Sequence, residues 1–407
     1  MEVFENTRLA GMELKNRIIR AATHEGMGGS QGFPREELAK IYERLARGGV
    51  GAIITGYAGV QREGRAWPNM PLIDRDEAIP AYQRITAAIK PYGTPLILQL
   101  AHGGGMVKPE VTGGPPLAPS RHRYQLTGET AVELTEVQIA EIVESFARGV
   151  ERAKLAGYDG VEIHAAHGYL LSEFLSPWLN RRTDRWGGST ENRARVLREI
   201  AERSRELVGD YPMLVKINGD ETQPGGMRVE EAVRVAQLLQ QASFDAVEVS
   251  CGSDDFFYTV RVPRVPVDAI LEMDPRLRRA SSLKKRITRF FLPRVIKTYP
   301  GLENYNTPAA ERIKAAVDIP VIVLGGIRKL SAIREIIERG RADYVSMCRP
   351  FIIEPNIVEK MRAGRQEESR CINCGYCLIG VPAAPLRCYF GRLPKSVPES
   401  PAGPVEP

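Results

Sequence analysis

Short apolar runs alternate with longer stretches of helical periodicity along most of the chain. The apolar runs are bounded by glycine, proline or polar residues, as buried strands are. They predict eight strands, at residues 18–23, 52–56, 96–100, 160–164, 214–218, 246–250, 321–324 and 344–347. Amphipathic helices are predicted between these strands and after the last one, at residues 35–47, 76–90, 135–156, 189–208, 228–241, 308–317, 331–339 and 357–363.

This order of elements predicts an α/β fold. Strands and helices alternate, which indicates parallel strands joined by helical crossovers, and a count of eight favours closure into a (β/α)8 TIM barrel. An open, doubly wound sheet is the alternative. However, no Gly-x-Gly-x-x-Gly follows the first strand, and glycines at strand ends are spread around the whole chain. We therefore expect a barrel over residues 1–364.

Two connections and the end of the chain depart from the simple barrel pattern. Residues 101–134, after the third strand, are rich in glycine and proline, and residues 251–306, after the sixth, include a helical stretch at 281–291. Loops of this length are usually lids or binding elements, so 251–306 is interpreted as a lid-like insert over the barrel mouth. A cysteine-rich segment (365–393) and a proline-rich tail (394–407), expected to be flexible, complete the chain.

Composition and charge narrow the functional classes. The chain is 43% hydrophobic and 26% charged, with a net charge of +6. Ten Lys and Arg against three Asp and Glu within residues 264–297 account for the excess, so the basic character is local and a nucleic-acid partner is not expected. The patch leaves contact with a membrane surface, or attraction of an anionic reactant, open. No signal peptide or membrane span is predicted, so a cytoplasmic location is expected, and a homo-oligomer is left open.

The end of the fourth predicted strand concentrates chemistry. His164 ends the strand, and His167 and Tyr169 follow it, which places two imidazoles and a phenol together. In barrels of this type the working residues lie at the carboxyl ends of the strands. The chain has only five histidines, so two of them here indicate a functional site. The alternative is a pair of core histidines bonded to the backbone.

Other strand ends indicate a cofactor with a phosphate. Gly325-Gly326 after the seventh strand would let backbone N–H groups approach an anion, and Arg349 after the eighth would supply charge. Lys216 ends an apolar strand and is otherwise unexplained, because burying an unpaired lysine is costly. Beside the N1/O2 edge of a flavin it would stabilise the reduced ring, while Gln99 and Thr23 could hydrogen-bond the isoalloxazine.

These motifs resemble the old yellow enzyme family of FMN-dependent NAD(P)H:flavin oxidoreductases. The resemblance covers roughly residues 1–364 and implies hydride transfer from NAD(P)H through FMN to the activated C=C bond of an α,β-unsaturated carbonyl compound. The matching pieces are Asn16-Arg17-Ile18-Ile19, Gln99-Leu100-Ala101-His102, His164-x-x-His167-Gly168-Tyr169, Arg182-x-Asp184-x-x-Gly187-Gly188-Ser189-x-Glu191-Asn192-Arg193 and Asp343-Tyr344-Val345-Ser346-Met347-x-Arg349-Pro350.

The resemblance also implies roles for single residues. His164 and His167 would hold the substrate carbonyl, and Tyr169 would protonate the α-carbon. FMN contacts are implied at Ala22, Thr23, His24, Tyr57, Gln99, Lys216, Gly325, Gly326, Cys348 and Arg349. Three positions depart from the common pattern, namely Lys216 in place of Arg, Gly56-Tyr57 in place of a small residue, and His24 in place of Cys or Thr. These changes are expected to retune the flavin or the pocket without removing FMN.

Four of the six cysteines form the pattern Cys371-x2-Cys374-x2-Cys377-x10-Cys388. In a cytoplasmic protein such clustering favours a metal or cluster site over disulfides. The segment resembles the [4Fe–4S] segment of the 2,4-dienoyl-CoA reductase branch, although that branch usually has a longer second gap and continues into an FAD/NADPH domain not seen here. We expect FMN without FAD and a [4Fe–4S] cluster, with zinc or an empty site as alternatives. Cys251 is interpreted as a packing thiol, as is the Cys348 side chain.

One further residue and three rival functions complete the predictions. In the dienoyl-CoA reductase branch a proton-donating His precedes an Arg-x-Pro after the sixth strand. Here Tyr258 stands in that place before Arg261-Val262-Pro263, so it is expected to line the substrate pocket, with a packed aromatic as the alternative. The rival functions are an iron–sulfur flavoprotein reduced by an electron carrier, a flavin-free lyase using Lys216 as a Schiff base, and a non-enzymatic docking protein.

Overall fold

A closed ring of parallel strands forms the centre of the protein. The structure is a computed structural model that describes residues 1–125, 127–253, 256–299, 301–381 and 386–393. Each strand of the ring pairs with its neighbours in chain order, and the last pairs with the first. Within the described ranges the ring has eight strands, which are β1 Ile18–Arg20, β2 Ala52–Ile54, β3 Leu96–Ala101, β4 Gly160–Ala165, β5 Met213–Asn218, β6 Ala246–Ser250, β7 Val321–Leu324 and β8 Tyr344–Met347. The predicted TIM barrel is confirmed.

A helix follows each strand and packs its apolar face on the barrel. Helix α3 shows how the sequence specifies these elements. Thr135 and Gln138 bond each other's backbone N–H groups in a capping box, and Ile139, Ile142 and Phe146 recur at helical spacing on the buried side. The helices of the ring are α1 Glu37–Arg47, α2 Ile79–Ile89, α3 Glu136–Leu155, α4 Arg195–Val208, α5 Val229–Gln241, α6 Thr307–Lys314, α7 Leu330–Glu338 and α8 Ile357–Arg362.

An antiparallel hairpin closes the amino-terminal end of the barrel. Its strands, Thr7–Leu9 and Met12–Leu14, place Leu9, Met12 and Leu14 in the cluster that fills the barrel interior. Ile97, Leu214 and Ile322 from β3, β5 and β7 belong to the same cluster. Since this end is sealed by apolar side chains, the carboxyl ends of the strands are the face on which a site can open.

Smaller elements decorate the barrel. The helix predicted at 281–291 is present as Ser282–Val295, and Ser281 caps it. In the part of the chain that the structure describes, no helix is long and apolar enough to cross a membrane. The tail predicted at 394–407 lies outside the described residues. The remaining helices are Pro109–Thr112, Leu170–Leu175, Thr190–Arg193, Phe256–Thr259, Val267–Met273, Pro275–Arg278, Arg349–Ile353 and Tyr376–Gly380, with 3-10 turns at Asp76–Ala78, Lys90–Tyr92 and Gly104–Met106 and short strands at Ala58–Gly59, Leu117–Ala118 and Val132–Glu133.

The start of the cysteine-rich segment is fastened to the barrel. The buried carboxylate of Glu354 accepts hydrogen bonds from the Ser369 hydroxyl at 3.0 Å and the Arg370 backbone N–H at 2.6 Å. The Leu330 backbone N–H donates to the Glu367 carbonyl at 2.8 Å. Although burial opposes ionisation, hydrogen bonds from Arg370, Gln366, Ser369 and Lys360 lower the pKa of Glu354 to about 2. The segment therefore begins as an integral part of the fold.

Candidate active site

A cavity of about 330 Å³ opens over the carboxyl ends of the barrel strands. The insert contributes Thr259 and Val260 to its wall, and the cysteine-rich segment contributes Asn373, Leu378 and Val381. The volume lies within the range of small-molecule sites. The sequence-predicted residues on this wall are Ala22, Thr23, His24, Tyr57, Gln99, His164, His167, Tyr169, Lys216, Gly326, Cys348 and Arg349.

Two histidines at the end of β4 face each other in this cavity. The ring centroids of His164 and His167 are 5.0 Å apart. The His167 backbone has a φ of +64° and donates its N–H to Asn218 Oδ1 at 3.1 Å, and its Nε2 lies 2.7 Å from the Ser250 hydroxyl. Both contacts hold His167 in a conformation that non-glycine residues rarely adopt. The sequence motif therefore depends on two partners from β5 and β6 to set the ring position.

Both imidazoles are neutral at physiological pH. Burial lowers the pKa of His164 well below its usual value, and lowers that of His167 to about 3. Among the described residues, no group hydrogen-bonds His164 Nδ1, although this nitrogen is buried. Because a buried polar atom is rarely left without a partner, this nitrogen indicates a place for a ligand. The alternative of core histidines satisfied by backbone does not account for it.

Tyr169 adds a protonated phenol to the same wall. Its ring lies 5.1 Å from that of His164, and its hydroxyl donates to the Tyr57 hydroxyl at 3.1 Å. Tyr57 in turn stacks on His24 at 5.0 Å, and His24 Nε2 lies 3.2 Å from Asn69 Oδ1. Burial raises the pKa of Tyr169, so the phenol keeps its proton at neutral pH. A phenol beside two neutral imidazoles can give a proton to a bound molecule.

The structure gives Lys216, which the sequence left unexplained, two carboxyl partners. Its Nζ lies 2.8 Å from Glu248 Oε2 and 3.3 Å from Glu162 Oε2, and all three side chains are buried. Gln99 Nε2 donates to Glu162 Oε2 at 2.5 Å, and the Ser346 hydroxyl donates to Glu248. These bonds join residues of β3, β4, β5, β6 and β8 beneath the cavity.

The pKa shifts in this network favour a single ion pair, between Lys216 and Glu248. Burial and the nearby Glu248 raise the pKa of Glu162 well above its usual value. Burial also disfavours the charged form of Glu248, but Lys216 and the hydrogen-bond donors lower its pKa overall. The two carboxyl groups raise the pKa of Lys216 against the effect of burial. The network therefore holds one ammonium, one carboxylate and one protonated carboxyl. Because Lys216 stays protonated, it is a poor Schiff-base nucleophile.

Gly326 and Arg349 also line the cavity. Gly326 has a φ of +70°, and a Cβ there would lie 2.1 Å from the Leu302 carbonyl oxygen. Gly325, with a φ of +146°, is beside Tyr305 and Asn306 and does not line the cavity. Arg349 Nη1 donates to the carbonyls of Val260, Arg261 and Asn373 at 3.0–3.2 Å. The guanidinium thus bridges the insert and the cysteine-rich segment while it lines the cavity.

We expect Gly326→Ala to destabilise the protein by several kcal/mol. The left-handed backbone costs an alanine about 1–2 kcal/mol, and the clash with Leu302 adds about 1–3 kcal/mol. Gly340→Ala is a matched control, because Gly340 has a φ of +67° but nothing within 4 Å of its Cβ position. The free energies of unfolding in urea measure the difference. Equal losses in the two variants would contradict the close approach at Gly326.

Tyr258 does not lie on the cavity wall, contrary to the sequence prediction. Its hydroxyl donates to Asp220 Oδ2 at 2.5 Å, and its ring packs edge-on against Tyr299 with a centroid distance of 4.9 Å. The Arg261 guanidinium lies over the same ring. These contacts fix Tyr258 within the insert as a packed aromatic, and its neighbour Thr259 reaches the cavity instead.

The four clustered cysteines surround a second cavity. Its volume is about 400 Å³, and Arg349, Arg370, Arg387 and Arg392 also line it. Within the described residues, no three His, Cys, Asp or Glu side chains are placed to hold one metal ion. A [4Fe–4S] cluster takes one thiolate per iron, so its ligands surround a space, whereas zinc requires them to converge at about 2.3 Å. The structure places Cys371, Cys374, Cys377 and Cys388 on the wall of one cavity beside four arginines, which would complement the negative charge of a group held by four thiolates.

Comparison with known sequences identifies the family. Residues 2–255 and 269–368 match the NADH:flavin oxidoreductase / NADH oxidase family. The chain belongs to this family. It is 35% identical over 374 residues to the metal reductase of Desulforamulus reducens, covering 91% of this chain and 50% of that one. It is 33% identical over 382 residues to the NADH oxidase of Thermoanaerobacter brockii, covering 93% of this chain and 53% of that one. The chain thus spans about half the length of these relatives.

Solved structures agree with the assignment at the level of the fold. An old yellow enzyme homologue from Zymomonas mobilis superimposes with a TM-score of 0.72 at 23% identity, covering 92% of this chain and 96% of that one. The predicted family, the barrel and the oxidoreductase class are confirmed, and the family is FMN-dependent. Since this is a family of enzymes, the alternative of a non-enzymatic docking protein is not supported.

The residues present in the first cavity fit an FMN of the old yellow enzyme type. Its wall offers hydrogen-bonding groups at Thr23, Gln99 and Lys216 for a flavin ring, and Gly326 and Arg349 for a phosphate. Arg349 lines this cavity, so its guanidinium charge is available to a phosphate bound there. His164, whose buried Nδ1 has no hydrogen-bond partner among the described residues, lies on the same wall.

Sequence reasoning missed the residues that hold this site in place. Glu162 and Glu248 carry carboxyl groups within otherwise apolar strands, which is the signal that could have revealed them. Ser250 ends β6 and contacts His167, although a serine at a strand end has no distinctive pattern. Asn373 and Val381 could not be found, because the fold of the cysteine-rich segment brings them to the cavity.

Proposed function

We propose that this protein is an FMN-dependent ene-reductase that uses NAD(P)H to reduce the activated C=C bond of an α,β-unsaturated carbonyl compound. The observation that carries the proposal is the buried, unpartnered Nδ1 of His164 on the cavity wall, beside neutral His167 and protonated Tyr169. FMN, when bound, supplies hydride transfer. The protein contributes orientation of the alkene, stabilisation of charge and a proton.

The two imidazoles bind the carbonyl oxygen of the substrate. Because the pKa values of His164 and His167 are depressed, each ring donates a hydrogen bond without giving up its proton. Such donors bind more strongly as negative charge develops on the oxygen, and so favour the transition state over the substrate. Ser250 and Asn218 keep His167 in place, so the donors need little rearrangement during the reaction.

Tyr169 delivers the proton to the α-carbon. Its raised pKa keeps the phenol protonated at neutral pH, and its ring lies beside that of His164. The Tyr57 hydroxyl, which accepts from Tyr169, fixes the direction of the phenol before substrate enters. A positioned general acid of this kind contributes typically about 10²–10⁴-fold to the rate.

A second candidate is an iron–sulfur flavoprotein that an electron carrier reduces. The observation that favours it is the position of Arg349, which lines both the first cavity and the cysteine cavity. A group held by the four cysteines would therefore be separated from the first cavity by one side chain. This candidate differs from the first only in the source of electrons.

Anaerobic half-reactions test the proposal. The purified protein is expected to show flavin absorbance and to release FMN on denaturation. NADH or NADPH should bleach the flavin, and 2-cyclohexenone should restore its absorbance. Bleaching by a reduced viologen but by neither nicotinamide would support the second candidate. Absence of flavin after expression with riboflavin supplied would overturn both candidates.

We expect iron and sulfide near four each per chain in protein prepared without air, as a four-thiolate cubane requires. Cys374→Ser should lose the cluster yet keep FMN, because Cys374 lines only the second cavity. Cys251→Ser is the control, since Cys251 is buried against the Tyr258 carbonyl and does not line the second cavity. Iron and sulfide analysis with the flavin spectrum measures both. An anaerobic preparation without iron would contradict the cluster.

A further inference from the structure

The longest helix of the insert, Ser282–Val295, has no buried residue. Eleven large hydrophobic side chains are exposed in the described part of the protein, and five of them are on this helix. They are between 49% and 76% exposed, and they are Leu283, Ile287, Phe290, Phe291 and Val295. Scattered apolar residues are normal on a surface, but a concentration of this kind marks an interaction site.

Four of these five side chains form one stripe. Leu283, Ile287, Phe290 and Phe291 follow the spacing of three and four residues that brings side chains to one face of a helix. The rings of Phe290 and Phe291 touch edge to face with centroids 5.1 Å apart. The stripe is therefore continuous along the helix.

Basic residues border the stripe, and no acidic residue interrupts it. The helix contains Lys284, Lys285, Arg286, Arg289 and Arg294, with no Asp or Glu between positions 281 and 296. At 100° per residue, Lys284 and Arg286 fall on the two edges of the stripe. Arg294 falls on the face of the stripe itself, one turn after Phe290, and its guanidinium carbon lies 3.8 Å from the centroid of the Phe290 ring. An apolar face edged by positive charge is typical of helices that lie in a membrane interface.

The opposite face attaches the helix to the insert. Leu292 and Ile296 pack against the cluster of Phe257, Val262 and Val265. Arg289 Nη2 forms an ion pair with Asp268 Oδ1 at 2.9 Å. Because the inner face is already fastened, the stripe points away from the protein.

We propose that Ser282–Val295 is a docking helix that binds the surface of an anionic lipid membrane. The aromatic and aliphatic side chains enter the headgroup region, and the lysines and arginines contact anionic headgroups. The local excess of positive charge selects an anionic surface over a neutral one. The same insert supplies Thr259 and Val260 to the first cavity, so docking orients the cavity-bearing end of the barrel relative to the membrane. The inference stands independently of the reaction proposed above.

Flotation of the full chain with lipid vesicles tests this proposal. The protein should float with vesicles of phosphatidylcholine and phosphatidylglycerol in a 7:3 ratio, and not with phosphatidylcholine alone. Each basic residue near an anionic surface contributes about fivefold to binding, so replacing Lys284, Lys285 and Arg286 by Glu should lower it by at least about 100-fold. Phe290→Ser with Phe291→Ser should lower binding by at least about tenfold. Raising the salt concentration should release the unaltered protein.

Matched variants separate docking from general effects of charge and hydrophobicity. Val137→Ser with Leu155→Ser removes exposed apolar side chains elsewhere, and reversing Arg8, Arg84 and Arg339 to Glu makes the same change in net charge. Both controls should float like the unaltered protein, and thermal melting should show all variants folded. Failure to bind the anionic vesicles, or equal loss in variants and controls, would overturn the proposal. A dimer in sedimentation that only the Phe290 and Phe291 changes dissociate, without vesicle binding, would instead assign the stripe to a second copy.

Discussion

Replacing Tyr169 with Phe is expected to slow alkene reduction by about 10²- to 10⁴-fold while NAD(P)H reduces the flavin at an unchanged rate. The reason is that the phenol donates a proton only when the alkene is reduced. Rapid-mixing experiments on each half-reaction, with 2-cyclohexenone as oxidant, measure the two rates separately. A substrate whose α-carbon is more basic should suffer less from the change, because it depends less on the acid.

Two variants of neighbouring residues sharpen this prediction. Tyr57→Phe removes the hydroxyl that accepts from Tyr169 but leaves the acid itself, so it should cost at most about tenfold. His164→Ala should weaken the binding of phenols and enones, since the ring no longer donates to their oxygen. Equal losses by Tyr169→Phe in both half-reactions would contradict the role of the phenol.

Lys216→Met is expected to destabilise the protein by about 3–5 kcal/mol at neutral pH, because it leaves two buried carboxyl groups without a cation. In the unaltered protein the pKa of Glu248 is lowered, so its contribution to stability is present above the unfolded pKa and is lost as the pH falls through the folded pKa. Without Lys216, burial raises the pKa of both carboxyl groups. The variant should therefore lose stability as the pH rises above about 4.3, the usual value for Glu.

Urea unfolding at pH 5 and pH 8 measures this effect. The gap between Lys216→Met and the unaltered protein should be larger at pH 8. Adding Glu248→Gln to the variant should recover at least about 1 kcal/mol, because the unpaired carboxylate is gone. A deficit of the same size at both pH values, with no recovery in the double variant, would show that Lys216 acts by packing alone.

The barrel could be predicted from the sequence because its strands are apolar runs that end at glycine or polar residues. The candidate site followed, since His164, Lys216 and Arg349 stand just where those runs end. The pairing of Lys216 could not be predicted, because it depends on register. Lys216 lies directly opposite Glu248 in the β5–β6 pair, and nothing in either strand alone specifies that alignment.

The parts outside the barrel were less accessible to sequence reasoning. The prediction for Tyr258 rested on its spacing from Arg261-Val262-Pro263. Its orientation is set instead by contacts with Asp220 and Tyr299, which are distant from it in the sequence. The spacing of the cysteines predicts a shared site without giving its position against the barrel. The basic helix was predicted, whereas the outward direction of its apolar stripe depends on how Leu292 packs.

The wall shared by the two cavities determines where the chain can be divided into exchangeable parts. Arg349 grips the Asn373 carbonyl, and Asn373, Leu378 and Val381 complete the cavity that begins at the strand ends. A barrel truncated after residue 364 would lack part of the cavity wall. A cysteine-rich segment grafted alone onto another barrel would lack the barrel residues that it packs against. Chimeras between homologues should therefore fold with an intact cavity only when the barrel and the cysteine-rich segment come from the same parent, as a single unit of recombination.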